Sequence, residues 1–417
     1  MMRMRSWLMM VVTVLLPLSL LVTPLHAETI SDWNATAEAI GIEKRILPPV
    51  NARAMAILHL SMFEAVNAIE RRYQPYRLKL TADRSASMEA AAAVAAHDAL
   101  AALYPDQGTK LDTALAAALS QFPAGDAKIK GIDVGRAAAA GILALRTGDG
   151  ASANETYRPW TTPGVYVPTS LPVSSTDGMM TPWVMTTPSQ FRPAPPPALD
   201  SATWTEDLNE IREMGGRKSI KRTPDQTDIA RFWFITGPQS WNPIVRQLIA
   251  ARQLDLTDAA RVHAMVAAAT ADAFIAVFDA KYYYNFWRPI TAIRNADLTG
   301  NQATPRDASW LPLGETPLHP EYPCAHCITS TAVAEILKSV FGNDIPEVTM
   351  MSPTAPGVTR RWTRLDDYAE EVALSRIYAG FHYRFSDNAA REMGREIAAQ
   401  AIATQLHRIV TSTDVRR

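Results

Sequence analysis

From Asn51 to Arg71 the apolar residues recur at three- and four-residue steps, the spacing of one helical face, and Pro48 and Pro49 stand just upstream as a start signal. Met88 to Leu103, Gly108 to Ser120 and Gly131 to Leu145 are rich in alanine, which favours closely packed helices of high intrinsic propensity. Together these segments predict a bundle. Trp204 to Met214 reads as helical, and Thr223-Pro-Asp begins another helix with the residues that suit an N-terminus. Asp255 to Tyr284 reads as one long buried helix. Thr329 to Val340, Trp362 to Ala379 and Asp387 to Ile409 complete a second bundle, with Gly342 to Asp344 and Pro353 to Gly357 as breaks. Phe278-Asp279-Ala280 echoes Phe63-Glu64-Ala65, a weak trace of two related halves. Strand-like alternation is scarce, so the expected fold is all-α: a leader over 1–27, an N-terminal bundle over 28–158 and a C-terminal bundle over 201–417. The connection over 159–200 is irregular, with ten of the chain's 29 prolines between Pro159 and Pro197. A loop of that length in a packed protein usually wraps the surface or lines a mouth.

Composition changes the picture at the N-terminus. Arg3 and Arg5 precede the apolar run Trp7 to Val22, and Thr23 to Ala27 ends on a small residue where a signal peptidase cuts. The run is short and broken by Pro17, so cleavage and export to the periplasm or medium are expected rather than a retained anchor. The 41 basic and 42 acidic residues nearly balance, and the leader takes two arginines with it, so nothing suggests a nucleic-acid partner. No later segment is an unbroken apolar run of membrane-spanning length, so no membrane partner is expected after cleavage. The alanine-rich helix faces permit a homodimer without requiring one. The two cysteines, Cys324 and Cys327, are three apart, which is not a disulfide framework; they can pair with each other or stay as thiols.

Chemistry is concentrated in three segments. Lys281 and Arg288 are seven apart, which on a helix places them on nearly one face, with Pro289 ending that helix and Arg288 at its C-terminal edge. Taken alone, the two fit equally well as cations that snorkel from a core helix. His326 follows Pro323 at the start of an expected helix, where free backbone N–H groups attract anions. Arg376 and His382 are six apart with Gly380 between them, so a helix ending near Ala379 can turn His382 back toward the site. The bland alternatives are an arginine paired with Glu370 or Glu371 and a histidine at a helix end. Three cations with helix-start N–H groups balance a tetrahedral oxyanion, and two imidazoles supply a ligand or nucleophile and an acid/base partner.

Lys281-x6-Arg288-Pro289, Pro323-Cys324-Ala325-His326 and Ser375-Arg376-x5-His382 resemble the three-part signature of the type 2 phosphatidic acid phosphatase and vanadium-dependent haloperoxidase superfamily. The resemblance runs from Lys281 to about Asp387, and the wording Phe286-Trp287-Arg288-Pro289 is closer to haloperoxidases. It implies that Lys281, Arg288 and Arg376, with Cys324 and Ala325, hold the oxyanion. It implies His382 as axial vanadate ligand, or as the nucleophile of a phosphatase, and His326 as acid/base. His319, seven before His326, matches a histidine of algal bromoperoxidases and implies a halide-side role.

Three positions depart from the signature. Cys324 stands where the family has Ser, and a thiol is the weaker donor. Ala325 replaces Gly, which requires a negative φ. Ser386 takes the place of the Asp four after His382, and the adjacent Asp387 is expected to orient the imidazole instead. A thiol beside peroxide is also open to oxidation, which a peroxidase should avoid. The expectation is therefore a vanadate cofactor and oxidation of halide by peroxide. The alternatives are an exported acid phosphatase acting on phosphate esters, with phosphate in the same pocket, and an oxyanion binder without turnover. A soft-metal or thiol-redox module at Cys324-x2-Cys327 leaves the three cations unexplained.

Overall fold

A computed structural model describes residues 26–410. The leader expected over 1–27 lies outside these residues except for His26 and Ala27, which open the first helix. Helices α1 (His26–Glu43), α2 (Pro48–Glu70), α3 (Met88–Leu103), α4 (Gly108–Ser120) and α5 (Asp126–Leu145) come first. After the irregular stretch come α6 (Ala202–Met214), α7 (Pro224–Phe232), α8 (Asn242–Ala251), α9 (Leu256–Tyr284) and α10 (Pro289–Arg294). The chain closes with α11 (Ala325–Phe341), a hairpin of β1 (Asp344–Met351) and β2 (Thr359–Arg364), then α12 (Leu365–Ala379) and α13 (Arg384–Thr404).

The sequence dictates several helix starts directly. Thr223 caps α7 in a reciprocal box with Gln226, and Ser87 and Asp255 accept the Ala90 and Asp258 N–H groups at the starts of α3 and α9. Trp362, expected in a helix, instead lies in β2 opposite Val348. Ile345, Val348 and Met350 are buried along β1, so the pair covers the core with one face. With so few alternating positions, the strand signal is short enough to pass as a loop.

The axis of the molecule is α9, 29 residues or about 43 Å long. Among the described residues it is the helix long and apolar enough to cross a membrane, yet 94% of that apolar window is covered by protein. α2 packs along it from the N-terminal half, and α11 and α13 from the C-terminal half. One hydrophobic core therefore runs from α1 to α13 on both flanks of α9. Alanine makes this close packing possible: α3 and α5 approach so nearly that a Cβ on Gly135 would lie 2.5 Å from the Ala91 carbonyl. Polar groups are buried here as well, and His59 Nδ1 and His263 Nε2 are without hydrogen-bond partners. His263 of α9 stacks on His59 of α2 at 4.6 Å, and His59 accepts the Asn34 amide at 2.8 Å.

The proline-rich stretch is irregular as expected, with one 3-10 turn at Asp177–Met179. It is strapped along α9. The buried Asp272 carboxylate accepts the backbone N–H groups of Trp183, Val184 and Met185 at 2.7, 2.8 and 2.7 Å. Asp279 takes Arg192 through two bonds of 2.8 Å.

Candidate active site

α9 delivers the first cation at its last full turn. Lys281 is wholly buried, and its ammonium donates to the Pro320 and Glu321 carbonyls at 3.0 and 2.7 Å. The helix then stops earlier than the spacing of Lys281 and Arg288 predicts. Asn285 turns left-handed (φ 49°) and caps Lys281, so the next residues run extended and Arg288 (φ −76°, ψ 153°) precedes α10 rather than ending α9. The physical reason is the cap: Asn is among the few residues that enter the left-handed region at low cost.

Arg288 uses its fork to join two loops. Nε donates to the His319 carbonyl at 2.9 Å, Nη2 to His319 Nδ1 at 3.0 Å, and Nη1 to the Phe381 carbonyl at 3.0 Å and to His382 Nε2 at 3.3 Å. That last bond fixes the His382 tautomer. Since a guanidinium only donates, Nε2 carries a lone pair and Nδ1 carries the proton. Nδ1 lies 2.8 Å from Glu321 Oε1, which also accepts the Tyr383 N–H at 3.1 Å.

His382 reaches this place because α12 ends at Ala379 and Gly380 turns left-handed (φ 81°). No side chain fits there: a Cβ would meet the Gly215 carbonyl at 2.6 Å. Arg376, in the last turn of α12, is buried, donates to the Trp233 carbonyl at 2.6 Å and leaves Nε without a partner. It does not pair with Glu370 or Glu371, which bond Arg391 and Arg360. His326, in the first turn of α11, contacts the Ile235 carbonyl through Nε2 at 3.1 Å. A carbonyl only accepts, so Nε2 holds the proton and Nδ1 is free to take one.

His319, Ala325, His326, Arg376 and His382 share the wall of a cavity of about 660 Å³ with Trp233, Phe234, Phe274, Phe278 and Phe381; Val173 and Ser174 of the strap close one side. Ala325 is the first residue of α11 and is not among the residues of positive φ, so its methyl is accommodated where a glycine is usual. Burial and the neighbouring cations push the imidazoles of His319, His326 and His382 well below their ordinary value, so all three are neutral. Burial also lowers Lys281, Arg376 and, to about 10, Arg288. The buried carboxyl groups move the other way, Glu321 to about 8 and Asp387 well above its usual range, both through burial.

Two expectations are corrected. Asp387 does not orient His382; in the first turn of α13 its Oδ1 accepts the Cys327 thiol at 3.2 Å. Glu321, which the sequence reading did not single out, holds the imidazole in its place. Its signal was a lone acid inside the proline-flanked run His319-Pro-Glu-Tyr-Pro-Cys. Cys324 is wholly buried at the N-cap of α11, where its sulfur accepts the Cys327 N–H at 3.3 Å, and it is not among the residues lining the cavity.

The family model described as the VCPO second helical-bundle domain matches residues 261–410. Vanadium chloroperoxidase of Curvularia inaequalis is 27% identical over 277 residues, a match that takes in 50% of this chain and 45% of that protein. The chain thus spans less than half the length of this relative. The crystal structure of a bacterial vanadium-dependent iodoperoxidase superposes with a TM-score of 0.80 at 24% identity, covering 93% of this chain and 99% of that one. Over residues 261–410 the chain is similar to the vanadium haloperoxidases, and its helical fold is the one these structures share. An apo-type bacterial vanadium-dependent chloroperoxidase shares the fold at a TM-score of 0.67 and 16% identity, covering 85% and 93% of the two chains. The matched region begins within α9 and includes every side chain of the cation and imidazole cluster.

Proposed function

We propose that the chain is a vanadate-dependent haloperoxidase that oxidises a halide with hydrogen peroxide. The observation that carries the reading is the charge of the pocket. Arg288 and Arg376 are buried together with Lys281 against Glu321, whose carboxyl burial pushes up to about 8, and Arg376, the one of the three that lines the cavity, has an Nε without a partner. Buried cations in such excess call for an anionic guest. Vanadate suits the donor set: the three cations and the free N–H groups at the start of α11 would hold its oxygens, and His382 Nε2 would offer it a lone pair. Bound vanadate supplies a Lewis-acid centre that activates peroxide toward halide. Glu321 keeps the His382 proton on Nδ1, as a metal-binding imidazole requires. His326, with Nδ1 unprotonated, takes a proton from an incoming hydroperoxide. The aromatic wall excludes bulk water and strengthens each of these interactions. Export through the 1–27 leader belongs to the same proposal and is read from the N-terminus of the protein recovered from cells.

The test is turnover of iodide, bromide and chloride with hydrogen peroxide before and after loading with orthovanadate, alongside phosphate release from a phosphate monoester. Halide oxidation that appears only after loading supports the proposal. Phosphate release without halide turnover would establish a phosphatase instead, and tight vanadate binding with neither activity would establish an oxyanion binder.

A further inference from the structure

Behind the cavity wall, Cys324 Sγ, Cys327 Sγ and an Asp387 carboxylate oxygen lie within 4.8 Å of one another, all three residues wholly or almost wholly buried. The mechanism proposed above uses none of these three groups. Both thiols are free. Their arrangement is directional. Cys324 occupies the N-cap of α11 with its sulfur on the Cys327 N–H, where the helix start favours a thiolate. Cys327, one turn on, gives its thiol proton to Asp387 Oδ1, and Asp387 Oδ2 has no partner. Ala325 and His326, the next residues after Cys324, line the cavity, so the first thiol is one residue from the compartment that peroxide would enter.

The structure assigns Cys324 and Cys327 to a peroxide-oxidised dithiol couple in which Cys327 is the resolving thiol and Asp387 its base. The couple's protective purpose rests on the haloperoxidase reading; its chemistry does not, because peroxide can be supplied from outside. In the first step the Cys324 thiolate attacks one oxygen of hydrogen peroxide, the O–O bond breaks, and hydroxide leaves as water after taking a proton. The sulfur is oxidised by two electrons to a sulfenic acid. In the second step Asp387 takes the Cys327 proton, the Cys327 sulfur attacks Cys324, and the S–O bond breaks, releasing a second water. Two thiols and one peroxide give one disulfide and two waters. Residues three apart at a helix start are close enough for that bond.

The electrostatics agree with these roles. Burial alone would raise the Cys324 thiol, but the hydrogen bonds from Cys327 and the Arg376 charge bring it down to about 6. Burial raises both Cys327 and Asp387 above their usual values, and the 3.2 Å contact between the thiol and Asp387 Oδ1 gives the proton its path. The couple thus answers the hazard of placing a thiol next to a compartment that peroxide would enter. A thiol that closes into a disulfide is not carried on to sulfinic or sulfonic acid.

The experiment treats the full chain, first reduced and freed of reductant, with rising hydrogen peroxide, and reads intact and peptide mass. Wild-type protein is expected to lose two hydrogens, with Cys324 and Cys327 in one cross-linked peptide and both protected from alkylation under denaturing conditions. Cys327→Ser should instead gain one oxygen on Cys324, trapped by a sulfenic-acid reagent, and then two or three. Asp387→Asn should still close the disulfide but at least tenfold more slowly, with the sulfenic acid accumulating. Thiols that remain alkylatable after excess peroxide would overturn the couple, as would wild-type Cys324 oxidised as far as in Cys327→Ser. A metal ion retained in native mass on the reduced protein would overturn it in favour of a metal site on the same three atoms. Failure of halide turnover alone would strike the haloperoxidase reading and leave these mass measurements decisive for the couple.

Discussion

Replacing Arg288 by Lys keeps the charge and tests the geometry. The guanidinium donates to the His319 carbonyl, His319 Nδ1, the Phe381 carbonyl and His382 Nε2, four acceptors on two loops that are distant in sequence. An ammonium lacks the planar fork, is a point donor and cannot span both loops from one position. At least two charged hydrogen bonds should be lost, at about 1.5–3 kcal/mol each, or about 3–6 kcal/mol together. For a chain of this size the entropy of unfolding at the midpoint is about 0.8 kcal/mol/K, so Tm should fall by roughly 4–8 °C. The same variant should bind orthovanadate at least tenfold more weakly, because His382 Nε2 is no longer held in register. Differential scanning calorimetry and titration calorimetry on the reduced apoprotein read the two quantities. A Tm within a degree of wild type, together with unchanged vanadate affinity, would refute the view that Arg288 joins the loops and positions the imidazole.

Two further outcomes follow from the same geometry. Glu321→Ala leaves the His382 Nδ1 proton and the Tyr383 N–H without their acceptor, so vanadate Kd should rise about 10- to 100-fold while circular dichroism still reports a helical fold; an unchanged Kd would mean the tautomer is set elsewhere. The stacked pair His59 and His263 gives an acid limit to stability. Both are held neutral by burial, His263 down to about 3, whereas in the unfolded chain each protonates near 6.5. The unfolded state therefore binds more protons below about pH 6.5. Stability is complete above that pH and should fall by up to about 1.4 kcal/mol per pH unit per histidine as pH drops toward 4. Denaturant titrations across that range check it, and a flat profile in wild type would refute it.

Much of the fold was legible because its signals are local. The boundaries of α3 and α4 were predicted as they occur, since the alanine-rich runs are bounded by Ser87 and Tyr104 and by Gly108 and the Gln121–Pro123 turn. The hairpin was missed because only Ile345, Val348, Met350 and Trp362 carry its alternation. The site was legible as a set of residues and less so as a geometry. Lys281 and Arg288 read as one helical face because Asn285, an ordinary polar residue in sequence, takes a left-handed conformation that only its cap on Lys281 makes visible. Asp387 was matched to His382 by proximity in the chain, while the true partner, Glu321, lies 61 residues away in sequence and is brought in by the Lys281 and Arg288 clamps on its loop.

The way α9 is sheathed by both halves has a practical outcome for anyone dissecting the protein. The region from residue 201 onward holds every side chain of the cation and imidazole cluster, and a truncation there looks like a natural minimal enzyme. Such a fragment would strip α2 from its groove and leave a greasy flank of the central rod facing water, a surface suited to sticking to copies of itself. Size reduction should therefore begin in the outer α4, whose sole buried side chain is Leu111, rather than at the visible seam between bundles.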